Sequence, residues 1–71
     1  MDPQATWNEL QEAIQRHDTE TTHDCARSLL DWLARGGFAP MTSDDPTMNA
    51  DAHRLAALDC CRKVLRRTAD A

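Results

Sequence analysis

The stretch from His23 to Pro40, HDCARSLLDWLARGGFAP, determines the fold more than any other part of the chain. An apolar stripe runs along it at the spacing of one helical face: Ala26, Leu29, Leu30 and Leu33. Gly36 and Gly37 follow the last of these residues, and glycine at this position lets a helix end in the left-handed conformation. Pro40 then prevents the helix from resuming. The stretch therefore predicts an amphipathic helix over about residues 22–35 with a sharp exit.

A second amphipathic segment precedes it, over about residues 3–17. Trp7, Leu10 and Ile14 recur at helical spacing and leave polar residues on the opposite side. Two starts are open for this helix. In one, Asp2 caps a helix whose first residue is Pro3, and in the other, residues 6–9 form a capping box. We favour the earlier start, which puts residue 6 inside the first turns.

Six polar residues, 17–22, separate these two segments. Three of them are threonines, whose branched side chains lose rotamer freedom in a helix. We therefore expect a tight turn here, with Thr21 or Thr22 capping the second helix. His17 is expected in the last turn of the first helix, where the helix dipole favours a cation. One uninterrupted helix over residues 3–35 is the open alternative, because the two apolar stripes are only partly out of phase.

A third helix is predicted over about residues 50–68, after a loop at 36–49. The loop contains both glycines and two of the three prolines. It also carries apolar side chains, which is typical of a long loop that is functional or packed down. The third helix is capped either by Asp45, with Pro46 as its first residue, or by Asn49. Its predicted apolar face consists of Leu55, Leu58, Cys61 and Leu65, with Ala57 and Val64 beside it.

Together these segments predict an all-α fold, a small single-domain bundle in which an antiparallel helical hairpin is followed by a third helix after a long loop. The 71 residues include only fifteen large apolar side chains once alanine and cysteine are set aside. In chains of this size, hydrophobic burial and conformational entropy nearly cancel. We therefore expect self-association, with a homodimer of four to six helices. A complete enzyme with its own substrate cavity is disfavoured.

The charge pattern disfavours membranes and nucleic acids as partners. The formal net charge is −4 at pH 7, whereas sequence-independent binding of nucleic acid depends on cations that neutralise phosphates. No apolar run approaches the roughly 18 residues of a membrane-spanning helix, and the first residues lack the basic and apolar segments of a signal peptide. We therefore expect a cytoplasmic protein with reduced thiols.

Three cysteines and three histidines offer ligands for a metal, but their spacing does not favour one. His23 and Cys25 are two residues apart on a helix and point in nearly opposite directions. His53 and Cys60 lie two turns apart, roughly 10 Å along the axis, which is too far for one ion. We expect neither a metal nor a cofactor.

A sensor or small regulator that works through thiols or a metal is the alternative function. Its residues are the histidines together with Cys25, Cys60 and Cys61. Cys60 is the candidate reactive thiol, because neighbouring cations favour the thiolate form and Arg62 and Lys63 follow closely in sequence.

A basic patch marks the end of the third helix: Arg62, Lys63, Arg66 and Arg67. It holds four of the eight basic residues, whereas the first 24 residues carry six acidic side chains and one arginine. Cations at a helix C-terminus complement the dipole, and the patch is also suited to meet the acidic hairpin of another copy or of a partner. A DNA-associated regulator acting through this helix is the third function considered, and the acidic remainder of the chain disfavours it.

Catalysis has little support, because no Ser or Cys lies beside a His with a carboxylate to orient it. We predict that the chain is not an enzyme but a non-catalytic protein-interaction or scaffold module. The predicted interface is the apolar and aromatic set around the second helix and its exit: Trp7, Leu29, Leu30, Trp32, Leu33, Phe38 and Met41.

Overall fold

Three α-helices, without strands, make up the described part of the chain. The computed structural model describes residues 1–69, with the side chains of residues 1–67. The helices are α1 (Pro3–Gln15), α2 (Thr19–Ala34) and α3 (Ala50–Ala69). α2 packs against both α1 and α3. The predicted all-α bundle is confirmed. No helix within residues 1–69 has both the length and the apolar character needed to cross a membrane.

α1 begins at Pro3, the earlier of the two predicted starts. Asp2 is its N-cap, and Oδ1 of Asp2 accepts hydrogen bonds from the backbone N–H groups of Gln4 and Ala5 at 3.0 and 3.2 Å. Thr6 lies inside the first turns, where its hydroxyl donates to the Asp2 carbonyl at 3.1 Å. Proline suits the first helical position because an N–H there has no helical partner in any case.

The connection between α1 and α2 is shorter than predicted. His17 adopts a left-handed backbone conformation with a φ of 57°. The N–H groups of His17 and Asp18 donate to the carbonyls of Ile14 and Ala13 at 3.1 and 2.9 Å, the pair of bonds that ends a helix in a Schellman motif. The alternative of one helix over residues 3–35 is therefore wrong. The placement of His17 in the last turn of the first helix is also wrong.

Asp18 caps α2, which therefore begins earlier than predicted. Oδ1 of Asp18 accepts from the Thr21 N–H at 3.1 Å, and hydrogen bonding to Thr21 lowers the pKa of the Asp18 carboxyl. Aspartate is a stronger N-cap than threonine. The predicted cap at Thr21 or Thr22 is wrong by about one turn, and Thr22 is instead buried inside the helix.

α2 ends in the same motif as α1, at the two glycines. Gly36 has a φ of 88°, and the N–H groups of Gly36 and Gly37 donate to the carbonyls of Leu33 and Trp32 at 3.1 and 3.0 Å. The predicted glycine exit is confirmed. Gly36 is favoured by its positive φ, whereas Gly37 is required for a different reason. A Cβ at position 37 would lie 2.3 Å from Cε2 of the Trp32 indole.

The core lies where α2 faces α1 and α3. Its fully buried hydrophobic members are Leu10, Ala13, Ala26, Leu29, Leu33, Ala57 and Cys61, each 0% exposed. Leu29 and Leu33 therefore belong to the core of the single chain. α1 and α3 of one chain thus cover the centre of the α2 stripe, and no second copy is needed there.

Asn49 caps α3, which settles the choice between the two predicted caps. Oδ1 of Asn49 accepts from the Ala52 N–H at 2.8 Å. Asp45 instead stabilises a turn within the loop, where its Oδ1 accepts from the N–H and the hydroxyl of Thr47 at 2.9 and 2.7 Å.

The core face of α3 differs from the predicted one. Its buried residues are His53, Ala57, Cys61 and Val64. Of the predicted face only Cys61 is buried: Leu58 and Leu65 are half-buried, and Leu55 is 67% exposed. The prediction is wrong by about a quarter turn of the helix. Ala57 and Cys61 are small enough to let α3 approach α2 closely, and the polar contacts of His53 and Arg54 fix its rotation about its own axis.

Candidate functional site

One side chain of α1 holds the loop between α2 and α3. Nε2 of Gln4 donates to the Met41 carbonyl at 3.2 Å, and Oε1 of Gln4 accepts from the Met41 N–H at 2.8 Å. The carboxamide thus pairs with both backbone groups of Met41, as a neighbouring β-strand would. These bonds fix the backbone of Met41 and leave its side chain 62% exposed.

α3 holds the next residue of the loop through His53. This side chain is only 8% exposed. Its Nδ1 accepts from the Thr42 N–H at 3.0 Å and lies 3.0 Å from the Thr42 hydroxyl. A backbone N–H can only donate, so Nδ1 carries the lone pair and the neutral ring bears its hydrogen on Nε2. His53 therefore acts as a structural acceptor for the loop.

Arg54 ties the start of α3 to the end of α2. Its Nη2 donates to the Leu33 carbonyl at 2.6 Å, and its Nη1 donates to the Gly37 carbonyl at 3.3 Å. The last carbonyls of a helix lack helical partners and form the negative end of its dipole. The Leu33 carbonyl also accepts from the Gly36 N–H at 3.1 Å. The guanidinium therefore adds a complementary charge at this end of α2, and its bond to the Gly37 carbonyl fixes the exit from the helix.

Trp32 makes the last of these attachments. Its Nε1 donates to the Phe38 carbonyl at 2.9 Å, and the two rings meet edge to face with centroids 5.7 Å apart. Phe38 nevertheless remains 71% exposed. Trp7 is half-buried and lines a shallow groove together with Met41. We call Phe38 and Met41, with Trp7 and Trp32 at their edges, the loop surface.

The structure divides the predicted interface into three groups. Phe38 and Met41 are exposed, and Trp7, Leu30 and Trp32 are half-buried. Leu29 and Leu33 are fully buried, so they cannot contact a partner while the chain is folded, and including them in the interface was wrong.

Three side chains that hold the loop do not stand out in the sequence: Gln4, His53 and Arg54. Their partners are backbone groups, which no residue pattern marks. These partners also lie far along the chain, 37 residues from Gln4 and 11 from His53. The one local signal is the spacing of His53, four residues before Ala57 on the buried face of α3.

Two of the three thiols are buried. Burial raises the pKa of the Cys61 thiol to about 12. Burial and the nearby Glu9 carboxylate raise the pKa of Cys25. Both residues are therefore protonated near neutral pH and pack as small hydrophobic side chains.

Cys60, the candidate reactive thiol, is half-buried. Its Sγ accepts from Nε2 of Gln11 on α1 at 3.8 Å. Lys63, one of the cations expected to activate it, pairs instead with Asp59 at 2.9 Å. Cys60 is thus the thiol best placed to meet a reagent.

The basic patch runs along the last turns of α3. All four of its side chains are exposed: Arg62, Lys63, Arg66 and Arg67. Residues four apart share a side of a helix, so Arg62 and Arg66 lie on one side and Lys63 and Arg67 on another. Lys63 and Arg66 are three residues apart and are also neighbours, so the four side chains form one continuous patch.

Within residues 1–69, no group of three or more His, Cys, Asp or Glu side chains is placed to hold a metal ion. No protein-family model, curated protein or solved structure matches the chain. The function has to be inferred from the surfaces of the molecule itself.

Proposed function

We propose that the protein is a non-catalytic helical interaction module, a small scaffold that self-associates and presents the loop surface to a protein partner. The observation that carries this proposal is a fixed loop backbone with exposed apolar side chains, Phe38 at 71% and Met41 at 62%. Single apolar side chains scattered over a surface are common on monomers. Here each of them lies beside a half-buried tryptophan: Phe38 meets Trp32 edge to face, and Met41 lines a groove with Trp7.

The free-energy balance of the loop supports a binding role. Ordering one residue of backbone costs about 1–2 kcal/mol in conformational entropy. Phe38 and Met41 offset little of that cost, because most of their side-chain area stays in water. Hydrogen bonds from Gln4, His53 and Arg54 offset it instead. A loop that is ordered before it binds spares the complex the cost of ordering it.

The composition of the loop also resembles that of a protein interface. Residues 36–43 contain no charged side chain, while Arg35 precedes them and Asp44 and Asp45 follow them. Aromatic residues and methionine are enriched at the centres of interfaces, and charged residues are depleted there. An apolar centre with a charged rim is the usual arrangement around residues that dominate binding energy.

The side chains most capable of chemistry have packing and positioning roles, which supports a non-catalytic function. Cys61 lies in the core, Cys25 is buried, and His53 holds Thr42. The three free thiols fit a reducing compartment such as the cytoplasm.

Site-specific photocrosslinking tests the proposal in the cells that make the protein. A benzophenone-bearing amino acid replaces Phe38 in one variant and Glu12, an exposed residue of α1, in the control. We expect one predominant crosslinked protein from position 38 and none of that protein from position 12. The same pattern from both positions, or no crosslink from position 38, contradicts the proposal.

The crosslinked protein is then purified and titrated against three variants of the chain. Phe38→Ser should weaken binding at least tenfold, or about 1.4 kcal/mol, because it removes the central aromatic side chain. Gln4→Ala keeps every side chain of the loop surface but releases the Met41 backbone, so it should weaken binding about three- to tenfold through the ordering cost alone. Glu12→Gln should bind like the wild type. Equal affinities for all variants refute the role of the loop surface.

A further inference from the structure

We infer that α3 carries the self-association surface of the module, and that two copies pack their third helices antiparallel across a two-fold axis near Leu58. This inference rests on the proposed self-association and assigns it a surface and a geometry. The surface is separate from the side chains of the loop surface, so a dimer formed in this way leaves two loop surfaces available to partners.

The α3 outer face is the sector of α3 centred on Leu55, which is 67% exposed. In a helix with 3.6 residues per turn, positions 4, 7 and 11 residues apart differ in direction by no more than about 40°. The exposed charged residues at these spacings are Asp51, Asp59, Arg62 and Arg66. Leu58 and Leu65 are half-buried and border this face on the side of α2.

The apolar side chains of α3 extend around the helix beyond the sector that is buried in the core. Ala57, Cys61 and Val64 are buried in the core, Leu58 and Leu65 are half-buried and pack against it, and Leu55 is 67% exposed. A groove between α2 and α3 continues the apolar surface: Arg27, Leu30, Asp31, Ala34 and Leu65 line it. A surface helix normally has one apolar stripe opposite a polar face. An apolar sector that continues past the core is the arrangement of a helix that packs against one further helix.

The charges on the α3 outer face identify a second copy as the occupant. Asp51 lies toward its N-terminus and Arg62 and Arg66 lie toward its C-terminus, while Asp59 lies beside the crossing and pairs with Lys63 of its own chain at 2.9 Å. The face is therefore complementary to itself when one copy is reversed. This is the requirement of an isologous interface, in which the same patch serves both subunits.

The positions of these charges also set the register. An antiparallel pair that crosses near Leu58 brings Asp51 beside Arg66 of the second copy, because both lie about 11 Å from the crossing along the helix axis. The two-fold axis produces this ion pair twice. Leu58 of each copy then packs against Leu58 of the other at the centre, and Leu55 lies about one helical turn from it, against the stem of Arg62 of the second copy.

The basic patch supplies a matched control for this geometry. Arg66 and Arg67 are adjacent and exposed, yet their side chains differ in direction by about 100°. Arg66 lies on the α3 outer face and Arg67 lies away from it. Reversing the charge of either residue changes the net charge of the chain equally, but only the change at Arg66 alters the proposed ion pairs.

Sedimentation equilibrium from micromolar to near-millimolar concentration is the test. The chain has a mass of 8.0 kDa, so a dimer sediments at about 16 kDa. Leu55→Lys should abolish the dimer, because it removes the apolar side chain and places a cation opposite Arg62 of the second copy. The far-ultraviolet circular dichroism should stay unchanged, because Leu55 is exposed in the monomer. Asp51→Arg and Arg66→Asp each replace two attractive pairs with two repulsive ones and should each weaken dimerisation about tenfold. Arg67→Asp should dimerise like the wild type.

Mixing the two charge-reversal variants gives the decisive measurement. A dimer of one Asp51→Arg chain and one Arg66→Asp chain regains two attractive pairs, so the mixture should dimerise with about wild-type affinity although neither variant does so alone. This result is expected only when position 51 of one copy meets position 66 of the other. A mixture as weak as its components overturns the antiparallel register.

The remaining outcomes separate this inference from the proposed self-association. A wild-type chain that stays at 8.0 kDa throughout overturns both. A wild-type dimer that Leu55→Lys leaves intact overturns the inference alone. So does a dimer that Arg67→Asp weakens as much as Arg66→Asp, because the effect would then follow net charge rather than position.

Discussion

Gly37→Ala should open the corner at which the loop leaves α2. A Cβ at this position would lie 2.3, 2.4 and 2.6 Å from Cε2, Nε1 and Cδ2 of the Trp32 indole, well inside van der Waals contact. The indole therefore has to rotate away. This movement breaks its 2.9 Å hydrogen bond to the Phe38 carbonyl and its edge-to-face contact with the Phe38 ring.

The expected loss of unfolding free energy for Gly37→Ala is about 2–4 kcal/mol. Forcing an extra carbon into a packed site costs about 1–3 kcal/mol. The lost hydrogen bond adds about 1 kcal/mol, and the aromatic contact adds about 0.5–1.5 kcal/mol. The expected loss of unfolding free energy lies in the lower part of the range that these three costs span. Trp32 is half-buried, so its ring can move partly into solvent.

Urea unfolding followed by tryptophan fluorescence measures this loss. A Trp7→Phe background makes Trp32 the sole reporter, and its folded-state emission should shift to longer wavelength in the Gly37→Ala variant. Gly36→Asn is the matched control. Position 36 has a φ of 88°, and no atom lies within 4 Å of a Cβ built there. Asparagine is among the residues that best tolerate this conformation, so the control should lose no more than about 1 kcal/mol.

A double-mutant cycle isolates the clash from other effects of the methyl group. With Trp7 retained in all four proteins of the cycle and unfolding followed by far-ultraviolet circular dichroism, Gly37→Ala in a Trp32→Ala background should cost less than about 1 kcal/mol, because the ring that opposes the methyl group is gone. The reasoning is refuted if Gly37→Ala costs the same with and without Trp32, or if it stays within about 0.5 kcal/mol of the parent protein.

Two further predictions concern the Asp18 cap and the thiols. Hydrogen bonds to Thr21 lower the folded-state pKa of Asp18 below 3.8, so the stability that this carboxylate contributes is present above that pH and is lost as the pH falls below it. Asp18→Asn keeps the cap but removes the titrating carboxyl. Urea unfolding near neutral pH and at about pH 3 should show that this variant loses less unfolding free energy on acidification than the wild type. An equal loss in the two proteins contradicts this prediction. With a thiol reagent at neutral pH, Cys60 should be labelled before Cys25 and Cys61, because burial raises the pKa of both buried thiols, and peptide mass spectrometry that finds Cys61 labelled first contradicts this assignment.

The helix ends that the sequence predicts correctly are those determined by adjacent residues. Asp2, Gly36 and Asn49 all act on backbone groups within a few positions of themselves. The existence of a turn between α1 and α2 is predicted, but its length and the start of α2 are not. His17 adopts a left-handed conformation that is uncommon outside glycine. No local pattern indicates that conformation, so the strong cap at Asp18 is hidden within an apparently uniform polar segment.

The loop surface is predictable only in part. Phe38 and Met41 stand out as apolar residues in a segment rich in glycine and proline. The sequence does not show that their backbone is fixed, because Gln4 acts across 37 residues. It also cannot separate Leu29 and Leu33 from an interface, since protein cores and the centres of interfaces share the same residue types. That distinction requires knowing which helices pack on α2.

The rotation of α3 connects the fold to the proposed function. Hydropathy alone would turn its leucines to the core, and leaving Leu55 exposed forgoes about 1.5–3 kcal/mol of burial. The observed rotation gains the hydrogen bond that His53 accepts from Thr42 and those that Arg54 donates to the carbonyls of Leu33 in α2 and of Gly37 in the loop, each worth about 1 kcal/mol or somewhat more. The burial free energy forgone at Leu55 and the free energy gained from these hydrogen bonds are comparable. A single chain can therefore leave Leu55 exposed with little net loss of stability. A second copy that covers Leu55 recovers the burial free energy without breaking those bonds. We therefore expect the dimer, rather than the monomer, to be the state in which α3 satisfies both its polar and its apolar side chains.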